Sequence, residues 1–296
     1  MMNNISSSPY LSGYTYRTLA FHAICDAGDT KYMKNSCKDG IHPESILDGH
    51  LVYVTGNQVC YIFKHIAPTI SKDIKYSVIT AQWDEGVTDK IIPLLPDNLH
   101  KWYTINANKV HDKIVPIPLG LQNLHWRKDG NIQSEPNTYA KYSQTKKDKD
   151  IFMSFSTGNN YHERSNCVEQ ARIHLPNNRI TYQPFTPQDR KDEGFVDKYF
   201  QNVSRYKMVL CPWGAGKDTH RLWETMYLGS IPITRMCTAY RDFADYPIIF
   251  VDKWSDLNFD NLLKEYEIQL TKLQSDTRIY IDYWRSKINL DRQYDK

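Results

Sequence analysis

The chain has no apolar run approaching the ~18 residues that a membrane-spanning helix needs, and its first residues, MMNNISSSPYLSGY, carry neither a basic start nor an apolar stretch. These absences predict a cytoplasmic protein without membrane insertion. Cysteines are few and scattered. Cys25, Cys37, Cys60, Cys167, Cys211 and Cys237 form no CxxC and no Cys/His pairing at zinc-finger spacing, so they read as reduced thiols. Charge of one sign is missing too: 37 basic residues against 34 acidic leave a net +3, too balanced for nucleic acid as the main partner.

What is present is the composition of a folded protein. Hydrophobic residues make up 41% and charged residues 24%, with 21 Tyr and 7 Trp, rings of the kind that line binding clefts. At 296 residues the chain is long for one core, and two domains are expected. From residue 51 short apolar runs alternate with helical stretches: LVYVT, a helix from Gln58 to about Ile66, YSVIT from Tyr76, then strands from Lys101 to Ile105 and from Lys113 to Ile117. Such alternation implies a parallel sheet. Between Lys128 and Asp150 the chain turns polar and Lys-rich, with no apolar periodicity to bury, which places the domain boundary there.

A second alternation starts at Ile151 with IFMSFS and continues through a helix from about His162 to His174, a strand from Arg179 to Tyr182, and a helix from Gly194 to Val203. Strands from Met208 to Cys211 and from Pro247 to Val251 follow, and two helices between Asn258 and Ile288 are marked by Leu262, Leu263, Tyr266, Leu270 and Leu273, then by Ile279, Ile281, Tyr283 and Trp284. The predicted class is α/β and looks like a GT-B arrangement: two Rossmann-like doubly wound domains facing a cleft, over 1–145 and 146–275. The C-terminal helix, 276–296, is expected to return to the first domain.

The most informative stretch is KMVLCPWGAGKDTHRLWETMYLGSIPITR, Lys207 to Arg235. An apolar strand runs into a loop where Gly214 and Gly216 allow close backbone approach to a ligand, and Asp218 or Thr219 can cap a helix whose first amides point at an anion. His220, Arg221 and Glu224 follow on one helix face. Cations there suit phosphate and the carboxylate suits a sugar diol. On any helix such a trio also reads as a solvated face with an ion pair of a few tenths of a kcal/mol. Two other readings fail on spacing. A phosphate-binding G-x-x-x-x-G-K-[ST] loop would need glycine at Cys211 and a hydroxyl at Asp218, and a G-x-G-x-x-G dinucleotide fingerprint meets Thr219 at its third glycine. ATP hydrolysis and a nicotinamide cofactor are therefore not expected.

The run VLCPWGAGKDTHRLWETMYLGSIPIT resembles the signature of exostosin-like glycosyltransferases, inverting enzymes that use nucleotide sugars, and in particular their small viral and microbial members. The match is carried by Arg221, Leu222, Trp223 and Glu224 and by the exit Leu228, Gly229 and Ser230. YSVITAQWDEGV and KWYTINANKVHDKIVPIPLGL add weaker matches in the first domain. The resemblance implies a glycosyltransferase acting on a UDP-sugar donor, with xylose the first guess, and on a carbohydrate acceptor; for a viral member, the compartment is the host cytoplasm.

It also implies roles. His220, Arg221 and the amides from Gly214 to Thr219, with Asp218 in that loop, would hold the diphosphate in place of a metal. Glu224 would accept from both ribose hydroxyls. Arg164, opening a helix after a strand in STGNNYHER, becomes a second phosphate ligand, and Tyr182 a residue bordering the base. Inversion needs a general base from the first domain. Asp84 is the first candidate and Glu85 the second, since both follow the strand YSVIT; His22, Asp26 and His125 stay in reserve. The only DxD, Asp148-Lys149-Asp150, precedes a strand, so it reads as solvated linker and no metal or other cofactor is expected.

Overall fold

The computed structural model describes residues 8–24, 42–123, 136–186, 189 and 194–292. The chain divides into two compact units, Met1–Leu119 with Arg278–Lys296, and Gly120–Thr277. Each is α/β and holds a five-stranded sheet whose pairings are all parallel. Parallel neighbours need long crossovers, which is why short apolar runs alternate with helical stretches in the sequence.

The first sheet takes strands β1 (His22–Ile24), β2 (Leu51–Thr55), β3 (Tyr76–Ala81), β4 (Leu99–Thr104) and β5 (Ile114–Pro116) in chain order. β2 and β3 are buried along their whole length, so they read as continuous apolar runs. Among the described strands every crossover of this sheet steps the same way. One face carries Val52, Val54, Val78, Trp102 and Ile114 against Val59, Ile62 and Phe63. A bulge lies between the pairs Tyr76–Leu99 and Val78–Trp102, where β4 uses one more residue than β3. It turns His100 and Tyr103 to one side, where both meet Asp291 of the C-terminal helix α7 (Ile281–Asp291): Tyr103 Oη donates to Asp291 Oδ2 at 2.8 Å, and His100 Nε2 lies 3.0 Å from the Asp291 carbonyl. Helix α1 (Gly13–Arg17) packs in the same unit, its Tyr16 hydroxyl donating to the Pro118 carbonyl at 2.8 Å.

The second unit holds α2 (Pro136–Ser143), β6 (Lys149–Met153), α3 (Tyr161–His174), β7 (Ile180–Tyr182), α4 (Phe195–Ser204), β8 (Tyr206–Leu210), α5 (His220–Tyr227), β9 (Ile231–Arg235), β10 (Ile249–Val251) and α6 (Phe259–Ser275). Strand order is β10-β9-β8-β6-β7. The chain leaves β6 toward one edge and β8 toward the other, so the order reverses between these neighbours. That reversal is a topological switch point, the place where open α/β sheets bind ligands at the carboxyl ends of their strands. Cys167, Val168 and Ala171 of α3 and Leu262 and Tyr266 of α6 share one core with Ile151, Met208 and Ile233.

The two units divide between Leu119 and Gly120, ahead of the polar stretch at 128–150. Helix α2 lies inside it and belongs to the second unit, anchored by the Tyr139 ring against Phe200 and Tyr227 and by Tyr142 Oη donating to Asp197 at 2.6 Å. Two tyrosines in a lysine-rich segment give no apolar period, so composition hides them. Among the described residues Cys60, Cys167, Cys211 and Cys237 are free thiols, and no helix is long and apolar enough to cross a membrane.

Candidate anion site at the switch point

Two loops flank the reversal. One follows β6 and enters α3; the other follows β8 and enters α5. Both helices therefore begin at the carboxyl edge, with first-turn amides that have no intrahelical acceptor. Arg164 of α3 ties the loops together: Nε donates to the Trp213 carbonyl at 3.0 Å and Nη1 to the Ser156 carbonyl at 2.5 Å. Asn160 caps α3 by accepting from the Glu163 amide at 3.4 Å, and its Nδ2 donates to the Gly214 carbonyl at 2.9 Å. Gly214 leaves room for Arg164, since a Cβ here would stand 3.0 Å from Nη2 and press on it. Neither Gly214 nor Gly216 adopts positive φ; Gly216 contributes its carbonyl to the Gly214 amide at 3.0 Å.

Arg221 is the central group. It is only 7% exposed, its Nε donates to the Ser154 carbonyl at 3.0 Å, and its Cζ lies 5.4 Å from the Phe155 ring centroid, with Arg164 Cζ 5.9 Å from the same ring. None of the ion pairs among the described residues includes Arg221. Among the described residues a carbonyl and a ring are the partners of this guanidinium, and no carboxylate pairs with its charge. The adjacent Thr219, the helix N-cap, is 9% exposed, and its buried hydroxyl has no hydrogen-bond partner among the described residues. A cation and a hydroxyl, both unspent at a helix N-terminus, fit an anionic oxygen group.

The neighbours complete the surroundings. His220 is half-buried, and its Nδ1 lies 2.8 Å from the Gly120 carbonyl. A carbonyl only accepts, so Nδ1 carries the hydrogen and Nε2 is the atom that gains the proton in imidazolium. Glu224 is 6% exposed; with Arg221 also buried and not paired to it, this helix face is not the solvated ion-pair face that spacing alone allows. Tyr182 ends β7 half-buried, its ring 6.0 Å from Phe155 and 5.6 Å from Arg172 Cζ, and burial raises its phenol pKa. Asp218 is turned into the core, where Oδ1 accepts from Trp223 Nε1 at 2.8 Å and Tyr240 Oη at 3.4 Å; it shapes the loop from behind. Gly229 has φ +73, and a Cβ there would meet the Ser143 carbonyl at 2.8 Å. Ser230 donates to the Tyr206 carbonyl at 2.7 Å. The small-residue exit of α5 is thus explained by packing.

The structure brings Arg164, Tyr182, Gly214, Thr219 and Arg221 around the switch-point loops. Phe155 and Asn160 belong with them and were missed in the sequence. Asn160 had a readable signal, an N-cap asparagine with glutamate three residues on; Phe155 had none, being one apolar residue in an apolar run. Asp148 and Asp150 sit at the start of β6, the opposite edge of this sheet, paired with Arg205 at 2.6 Å, and with Arg179 and Lys207 at 3.0 and 3.1 Å.

In the first unit, Asp84 and Glu85 follow the carboxyl end of β3 and are exposed. Their loop is tightly set. Gln82 and Asn106 adopt φ of 60° and 48°, Asn106 Nδ2 donates to the Trp83 carbonyl at 2.8 Å, and Asn108 Nδ2 donates to the Glu85 carbonyl at 3.0 Å. A Cβ on Gly56 or Gly86 would overlap Trp83 or Asn106 at 2.0 or 2.1 Å. Left-handed non-glycine residues at two adjacent strand ends store strain of the kind found at functional sites. Although its tip is exposed, protein packed around Asp84 raises its carboxyl pKa through desolvation. His22 opens β1 at the opposite, amino edge; Asp26 and His125 lie outside the described residues.

No protein-family model matches the chain, and no curated protein is significantly similar to it in sequence. Among solved structures it is similar to an α1,3-fucosyltransferase, at 13% identity over 86% of this chain and 71% of that one, with a TM-score of 0.37. It is likewise similar to a UDP-forming α,α-trehalose-phosphate synthase from Burkholderia vietnamiensis, at 8% identity over 80% and 73%, with a TM-score of 0.43. A UDP-GlcNAc 2-epimerase from Methanocaldococcus jannaschii gives 17% over 78% and 71%, with a TM-score of 0.32. Likenesses this weak concern the outline of the fold, so function has to be read from the residues themselves.

Proposed function

We propose that the chain is a GT-B glycosyltransferase of exostosin-like type that transfers a sugar from a UDP-sugar, with UDP-xylose the first donor to try, to a carbohydrate hydroxyl with inversion and without a metal. One observation carries this reading: among the described residues the buried Arg221 pairs with no carboxylate, and it stands beside a Thr219 hydroxyl that has no partner, at the switch point of the second sheet. Arg164, Arg221 and the first amides of α5 meet the charge that develops on the departing diphosphate. His220 joins them when Nε2 is protonated. Glu224 takes the ribose hydroxyls, and Tyr182 borders the base. The acceptor oxygen attacks the anomeric carbon as its bond to the diphosphate breaks, and Asp84 takes the acceptor proton.

The test is titration calorimetry with UDP, GDP, ADP and UDP-sugars, each with and without EDTA. UDP-selective binding that survives EDTA supports the reading. Strict Mg or Mn dependence contradicts the metal-free site, and silence toward every nucleotide makes the loop structural and favours a non-catalytic glycan-binding protein of the same fold.

A further inference from the structure

Away from these loops, the amino edge of the first sheet holds an assembly that the proposed reaction does not use. His22 Nε2 lies 3.0 Å from His50 Nδ1, and the Leu47 amide donates to the same Nδ1 at 3.1 Å. An amide can only donate, so Nδ1 of His50 is an acceptor and His22 Nε2 must supply the other hydrogen. The His50 ring stacks on Phe21 with centroids 4.4 Å apart and planes within 5°. Arg292, which follows α7, lies with Cζ 4.9 Å from the Phe21 centroid, and its Nε donates to the carbonyl of Gly49, the residue before His50. The corner at 47–50 thus rests on the neutral form of one imidazole, and the end of α7 rests on that corner.

We propose that the His22–His50 pair is an acid-sensitive latch, in which protonation of His50 frees the 47–50 corner and with it the Arg292 end of α7. A proton on Nδ1 turns that acceptor into a donor facing the Leu47 amide, so the bond that pins the corner is lost, and the contact with His22 survives only if His22 changes tautomer. The new cation also meets like charge. Arg292 faces His50, Arg17 of α1 faces His22, and each histidine faces the other; Tyr103 of β4 and Asp291 lie beyond Arg292. Desolvation, the first cause, and these cations hold both imidazoles below the ordinary histidine value in the folded chain, and on His22 the Ser45 backbone, which favours the charged ring, offsets only part of it. The unfolded chain therefore takes up protons first, and the latch weakens as pH falls through the ordinary ~6.5 toward the depressed values.

Hydrogen exchange of the full chain at about pH 7.5 and about pH 5, corrected for intrinsic rates, tests this. Peptides from 42–50 and 281–292 should lose roughly tenfold protection at the lower pH, while 259–275 keeps its own. In His50→Asn the amide oxygen stands in for Nδ1 as an acceptor that cannot titrate, and the loss should vanish. Unchanged protection in the wild type, equal loss in the variant, or loss across all peptides together would each overturn the latch. Should the variant misfold, an NMR titration of wild-type histidines decides: a His50 pKa at or above the ordinary value refutes it.

Discussion

Replacing Arg221 with Met keeps the length and much of the apolar stem of the side chain while removing its charge, and the structure assigns opposite signs to the two consequences. Without ligand, the variant loses the 3.0 Å bond to the Ser154 carbonyl and the cation over Phe155, together worth about 1–3 kcal/mol. It also sheds the cost of holding a guanidinium at 7% exposure without a carboxylate, a term of the same order. The second term offsets or exceeds the first, so the ligand-free Tm should stay within about 2 °C of wild type or rise. With ligand the sign reverses. Charge-assisted bonds to a diphosphate are worth about 1.5–3 kcal/mol, which lowers UDP affinity roughly ten- to a hundredfold. Calorimetric titration and thermal unfolding on the same preparation read both numbers. A fall in Tm with unchanged UDP affinity would mean that Arg221 is a structural clamp, and the anion site would be lost with it.

Gly214→Ala places a Cβ 3.0 Å from an Arg164 guanidinium pinned by two carbonyls, so UDP binding should weaken by roughly tenfold with little change in unfolding; equal affinity would show that Arg164 tolerates displacement. Asp84→Asn should leave UDP affinity near wild type while turnover falls by ~10²–10⁴-fold. Because the Asp84 carboxyl sits above its ordinary range and acts deprotonated, the acid limb of kcat/KM should lie above the usual aspartate value; a limb at or below that value counts against this base. Lys147 donates to the Ser204 and Leu228 carbonyls at 2.7 and 2.8 Å, and burial lowers its pKa to about 8. The unfolded chain binds that proton up to its ordinary value, so wild-type stability should rise by up to about 3 kcal/mol from about pH 8 toward pH 10; in Lys147→Met denaturant titrations should lose that rise, and persistence of the slope would assign it elsewhere.

The strands were legible because β2, β3 and β8 are buried runs of apolar residues whose composition needs no partner to be recognised. What the sequence hid was relational. A three-residue strand such as β1 has no period to detect, and α2 is held by two aromatic anchors. The sequential winding of the first sheet is invisible in any strand taken alone, since order depends on which neighbour each strand meets. The same distinction runs through the candidate site. Glycine, arginine and a helix start announce an anion loop wherever they occur together, but the type of each residue does not say which charges are already spent. Asp218 and Arg221 stand three residues apart; the carboxylate is committed to Trp223 and Tyr240, whereas among the described residues the guanidinium has a carbonyl and a ring and no carboxylate. Only the fold makes that difference, by passing β6 and β8 side by side so that the Ser154 carbonyl from one loop meets the arginine of the other. Chemistry at a switch point is therefore set by what the crossing loops leave unpaired. On that measure Arg221 and Thr219, which remain unspent at the same helix start, are the residues on which the donor site stands or falls.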